Sequence, residues 1–186
     1  IIQKFYPHLK VVYKDSELNY KFKMRKILIL FLVASSTTFA QKKLDKLLNK
    51  WNNKNVSYMS VETLAMPKTK AILLDAREEK EYTISHITDA LFVGYTDFKI
   101  QETLKKLPKD RNTKIVVYCS LGIRSEKIAN KLIKEGYMNV YNLYGGIFEW
   151  KNAGFQVIDA FGNSTEKVHT FNESWSKWLK KGEKVY

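Results

Sequence analysis

The residues able to do covalent chemistry gather in one short stretch. Cys119 is the only cysteine of the 186-residue chain, and Gly122 and Arg124 follow it closely. A thiol, a glycine and a guanidinium at that spacing are what an anion-holding loop requires. The glycine lets the backbone turn its N–H groups inward, and the arginine adds a fixed charge. If a helix begins where the loop ends, its first N–H groups and its dipole join the same cradle. The anion is then a thiolate, or the negatively charged group that a thiolate attacks. A buried cysteine that merely ends a strand is the plainer alternative, and the glycine and arginine weigh against it.

Three further residues are candidates for supporting roles. Asp75, in Leu74-Asp75-Ala76-Arg77, can order the cysteine loop by accepting N–H bonds. Arg77 can pair with a nearby carboxylate such as Glu81, and His86 can fix a turn by hydrogen bonding. Each role serves structure as readily as catalysis. His8, His86 and His169 lack ligand-like spacing, so neither a metal site nor a cofactor is expected.

The elements that must position these residues read as alternating strands and helices. Ile115-Val116-Val117-Tyr118 is an apolar run that predicts a buried strand leading into Cys119. Ile128, Ala129, Leu132 and Ile133 recur on one helical face behind it, up to Gly136 as a C-cap. Val56 to Met59, Ala71 to Leu74, Leu91 to Gly94 and Val140 to Tyr144 predict the other strands. Ser60 caps a helical turn through Ala65, and Phe98 to Leu107 predicts a helix stopped by Pro108. Gly145-Gly146 turns into a short helix carrying Phe148 and Trp150. Strands alternating with helices imply an α/β fold with a parallel sheet, and Asp75 and Cys119 then fall at carboxyl ends of strands, where such sheets place their sites.

A net charge of +13 invites a nucleic-acid reading. Residues 1–40, however, hold 7 basic and 2 acidic residues, leaving 25 and 17 for residues 41–186, a net +8. Those lysines are scattered and form no arginine-rich stripe, so a solvated surface is expected and no nucleic-acid partner.

The chain opens on isoleucine, which suggests a fragment or an over-extended reading frame, with residues 1–23 an upstream extension. Met24-Arg25-Lys26, the apolar run Ile27 to Ala34 and the small residues ending at Ala40 have the layout of a secretory signal peptide over residues 24–40. Export is therefore expected, to the periplasm if the host is Gram-negative and otherwise to the medium. The run is too short to span a bilayer comfortably, so no stable membrane span is expected in the mature form. In an exported chain a lone cysteine is reactive or pairs with another molecule. Residues 41–55 predict a lead-in helix. In residues 158–186, Phe171, Trp175, Trp178 and Leu179 predict an amphipathic helix that packs back on the domain, with a partner or membrane surface as the sharper alternative.

Taken together, Leu74-Asp75-Ala76-Arg77, His86-Ile87-Thr88-Asp89-Ala90, the loop Tyr118-Cys119-Ser120-Leu121-Gly122-Ile123-Arg124-Ser125, and Leu143-Tyr144-Gly145-Gly146 with Trp150 resemble a single-domain rhodanese, a sulfurtransferase. The resemblance covers residues 56–157. One departure is Asp89, where the family usually has glycine. The resemblance implies a central parallel sheet of about five strands flanked by helices. It also implies that Cys119 takes a sulfane sulfur from a small anionic donor such as thiosulfate, as a persulfide, and hands it to a thiol or cyanide acceptor. The N–H groups of Ser120, Leu121, Gly122, Ile123, Arg124 and Ser125 would stabilise the charged sulfur, and Arg124 would attract the donor.

Two other functions compete. A cysteine phosphatase has five residues between cysteine and arginine, a larger cradle for phosphate, whereas Ser120 to Ile123 make four. A non-catalytic module that carries persulfide, senses redox state or binds a partner is the alternative from a different class. The oligomeric state is not legible in the sequence.

Overall fold

The computed structural model describes residue 20, residues 22–25 and residues 41–186. The signal-peptide reading of residues 24–40 and the upstream extension therefore lie almost wholly outside the described residues. The chain divides into two compact units, Ile1–Leu47 and Leu48–Tyr186. In the first, residues 22–25 are helical and residues 41–47 begin a helix, α1, that runs over residues 41–51. Among the described residues no helix is long and apolar enough to cross a membrane.

The second unit is built on five parallel strands, in the order β1-β5-β4-β2-β3. These are β1 (Ser57–Met59), β2 (Ile72–Asp75), β3 (Leu91–Phe92), β4 (Ile115–Tyr118) and β5 (Val140–Leu143). Strand β4 is central and fully buried, as its unbroken Ile-Val-Val-Tyr run requires of a strand covered on both faces. Helices α2 (Val61–Ala65), α3 (Glu79–Ile84), α4 (Ile100–Lys106), α5 (Arg124–Lys134) and α6 (Gly146–Asn152) connect the strands. The core joins Leu74, Ile115 and Val117 of the sheet to Ile128, Ala129 and Leu132 of α5.

Several local signals act as their chemistry predicts. The Ser60 side chain accepts the Thr63 N–H at 3.2 Å and caps α2. Helix α5 closes in a Schellman motif: Tyr137 N–H donates to Leu132 O and Gly136 N–H to Ile133 O, with Gly136 at φ +92°. Asp89 takes φ +62°, a left-handed conformation that suits glycine and that aspartate tolerates, and the turn after His86 is closed by the Ala90 N–H donating to Ile87 O at 3.1 Å.

The C-terminal region departs from expectation. The amphipathic helix over Phe171 to Leu179 is instead the single turn α7 (Glu173–Ser176), flanked by turns. Around it lie four short strands without apolar alternation to announce them. Antiparallel β6 (Val157–Ile158) and β7 (Ser164–Thr165) form one pair, and parallel β8 (Lys167–His169) and β9 (Glu183–Val185) form the other.

Candidate active site

Cys119 stands where β4 ends and five residues before α5 is under way. The helix after β2 leads towards β3 and the helix after β4 leads towards β5. The connections therefore diverge between β2 and β4, opening the crevice where parallel sheets hold ligands. Asp75 at the end of β2 pairs in register with Tyr118 at the end of β4.

The loop folds around the sulfur. Gly122 N–H donates to Cys119 Sγ at 3.1 Å, and Ser125 Oγ lies 3.4 Å from it. Gly122 takes φ +102°, a conformation that a side chain would strain, to aim that N–H inward. Burial pushes the Cys119 thiol up, but the Arg124 charge and the hydrogen bonds of Ser125 and Gly122 outweigh it and hold the thiol below its ordinary range. The thiolate therefore forms more readily than in a free thiol, although Cys119 is fully buried.

Two amides fix the back of the loop. Asn142 Nδ2, on β5, donates to Gly122 O at 2.7 Å, and Asn52 Nδ2 donates to the same oxygen at 2.8 Å. Ser125 Oγ also meets Asn142 Oδ1 at 2.7 Å. Its single proton serves either the amide or the sulfur, so it can turn towards Sγ as negative charge develops there. Asn142 was not singled out from the sequence. A polar residue in the apolar strand run Val140 to Leu143 was the available signal. Asn52 carried none.

Arg124 departs from the expected free anion receptor. Its Nη1 and Nη2 donate to Glu81 Oε2 and Oε1 at 2.6 and 2.8 Å, and Nη2 also meets Ser120 Oγ at 3.0 Å. Ser120 Oγ donates in turn to Glu81 Oε1 at 3.0 Å. Burial raises the Glu81 carboxyl, yet the fork from Arg124 outweighs it and holds it below its usual range. Glu81 also closes a capping box on α3, where its side chain accepts the Glu78 N–H at 3.0 Å. A cation in the first turn of α5 opposes the helix dipole, and this buried carboxylate offsets that cost.

Glu81 is therefore not the partner of Arg77. The Arg77 guanidinium pairs with Asp75, Nη2 to Oδ2 at 2.6 Å and Nε to Oδ1 at 2.9 Å, and donates to Ser85 O at 2.6 Å. Glu81 is a carboxylate near Arg77 in the sequence, but Asp75, two residues before Arg77, is buried beside it. Asp75 accordingly orders its own strand-end turn, accepting the Arg77 N–H at 3.0 Å, rather than the cysteine loop. His86 does fix a turn: Nδ1–H donates to Tyr82 O at 3.1 Å and the rings stack at 3.9 Å. Tyr118 Oη accepts the Ile87 N–H at 3.1 Å and ties that turn to β4. Leu121 and Ile123 pack inward, nearly buried.

Among the described residues no cluster of histidine, cysteine, aspartate or glutamate has the geometry to hold a metal.

The rhodanese-like domain model matches residues 60–153, half of the chain. The chain belongs to the rhodanese-like family. It is 33% identical over 98 residues to a thiosulfate sulfurtransferase of Coxiella burnetii, covering 87% of that protein. It is 37% identical over 83 residues to a tRNA uridine(34) hydroxylase of Erwinia tasmaniensis, of which it spans only 24%. A crystal structure of a Bacillus halodurans protein superposes on 63% of this rhodanese-like chain with a TM-score of 0.51 at 22% identity, a likeness of fold. The five-stranded parallel sheet flanked by helices is the family's architecture.

Proposed function

We propose that this chain is a sulfurtransferase that carries sulfane sulfur as a persulfide on Cys119, from a small anionic donor such as thiosulfate to a thiol or cyanide. The observation that carries the reading is the Cys119 sulfur held at 3.1 Å from the Gly122 N–H, in a loop closed by Arg124. The thiolate attacks the outer sulfur of the donor. A sulfur–sulfur bond forms to Cys119, the donor's own sulfur–sulfur bond breaks, and its electron pair leaves with sulfite. An acceptor thiolate or cyanide then attacks the outer persulfide sulfur and restores the thiolate. Gly122 N–H and Ser125 hold negative charge at the sulfur in both states.

The test is steady-state turnover of thiosulfate with cyanide, read as thiocyanate. Double-reciprocal lines that stay parallel as cyanide varies, and a rate reduced to background in Cys119→Ser, support the reading; equal rates in the variant sink it. The complete burial of Cys119 favours a second reading, a persulfide carrier that loads but turns over only with a docked protein acceptor. Loading by thiosulfate without release to cyanide or small thiols would favour that carrier.

The signal-peptide layout of residues 24–40 supports export of the mature chain. N-terminal sequencing of the protein from its host should begin at Gln41, and residues preceding it would defeat this localisation.

A further inference from the structure

Beyond the family's span, the C-terminal segment brings an aromatic ring onto the cation of the site. The Arg124 guanidinium lies over the Phe171 ring, 5.0 Å from its centroid. The in-plane donors of Arg124 already serve Glu81 and Ser120, so the ring covers a face that would otherwise meet solvent or a ligand.

The ring is held there at a conformational cost. Phe171 takes φ +66°, a left-handed conformation that bulky side chains avoid. Its N–H donates to His169 Nδ1 at 3.0 Å, with His169 and Thr170 buried. Thr170 N–H donates to Val185 O at 2.8 Å, and Asn172 Oδ1 accepts the Trp175 N–H at 3.1 Å on the other side. Strained residues held by over-determining neighbours cluster at ligand clamps and active sites. Phe171 remains 42% exposed and packs with Trp175 at 5.5 Å, so the pair presents an apolar platform beside the guanidinium.

The platform separates donors by chemistry. Thiosulfate is a compact, strongly hydrated dianion, and it gains little from a guanidinium shared between a carboxylate and a ring. An organic thiosulfonate carries one charge on the sulfane end and an apolar group that can lie on the exposed aromatics. We propose that Phe171 is a specificity-determining residue of the Cys119 site, favouring sulfane donors with an apolar or aromatic group over inorganic thiosulfate. The inference rests on the sulfurtransferase reading and refines its donor. The step balances: the Cys119 thiolate bonds to the terminal sulfur of the thiosulfonate, the bond from that sulfur to the sulfonyl sulfur breaks, and a sulfinate leaves with the electron pair.

The experiment compares kcat/KM for benzenethiosulfonate and thiosulfate, with cyanide as acceptor. It uses the full chain, Phe171→Asn, which accepts the left-handed turn without a ring, and Phe171→Leu, which keeps apolar bulk without a ring. The parent should prefer the aryl donor by about tenfold or more, and both variants should lose most of that preference, chiefly through KM for the aryl donor. Trp175→Ala removes the second ring and leaves the Phe171 turn in place; it should lower the preference by about threefold and decides the matter if the Phe171 variants do not fold. A preference unchanged within about twofold across the folded variants overturns the inference while leaving the sulfurtransferase reading intact. A parent chain that neither donor loads at Cys119 overturns both.

Discussion

Cys119 is a buried sulfur whose charge is set by neighbours rather than by water. The Arg124 charge and two loop donors lower its pKa against the pull of burial. The rate of alkylation by iodoacetamide should therefore rise with pH through a midpoint below that of a free thiol, and it should be lost as pH falls below that midpoint. Arg124→Lys keeps the charge but loses the fork to Glu81. That variant should shift the alkylation midpoint upward and cut turnover about tenfold. Glu81→Ala leaves the buried guanidinium without its carboxylate and should cost about 3–5 kcal/mol in denaturant unfolding. Because the folded Glu81 carboxyl lies below its ordinary value, its contribution is complete above the unfolded pKa and fades as pH falls through the folded one. The thiol, glycine and arginine could be read directly from the sequence. The Glu81 partnership could not, because it joins residues 43 apart and a nearer cation competed for the same carboxylate.

At the scale of elements, the cysteine loop is shaped as much by what packs on it as by its own residues. Gly146 opens α6 at φ +56°, directly against the loop. A Cβ there would collide with the Cys119 carbonyl oxygen and stand 2.8 Å from the Ser120 carbonyl oxygen. Gly146→Ala should therefore destabilise the protein by about 3 kcal/mol or more and misplace the loop, seen as lost turnover in whatever fraction remains folded. The parallel strands were legible because β2 and β4 are unbroken apolar runs ending at chemically distinctive residues. The glycine pair was legible as a turn, but its closeness to Cys119 depends on the register of β5 against β4 and has no local signal. The short strands from Val157 onward failed to announce themselves for another reason. They are two or three residues long, so neither alternation nor an apolar run can develop.

At the scale of the whole described unit, the C-terminal segment reaches back to Arg124, over which Phe171 lies at 5.0 Å. Its aromatic residues suggested a helix by spacing, yet the left-handed Phe171 and the Asn172 cap delay the helix to Glu173, and it ends after one turn at Ser176. Asn152 anchors the segment: Oδ1 accepts the Lys180 N–H at 2.7 Å and Nδ2 donates to Trp178 O at 2.9 Å. Lys151, nearly buried, adds a 2.6 Å ion pair to Glu166, whose side chain is exposed, so the pair contributes little by itself. Asn152→Ala should cost about 1–3 kcal/mol and speed amide exchange from Lys180 to Val185 well before the central strands.

The central claim is that Cys119 accepts sulfur, and intact-protein mass spectrometry tests it most directly. Protein incubated with thiosulfate and desalted should gain the mass of one sulfur atom on Cys119, lose it on addition of cyanide, and gain nothing as Cys119→Ser. A folded parent chain that gains no sulfur from thiosulfate or any other sulfane donor, or a Cys119→Ser chain that gains it equally, would contradict the account.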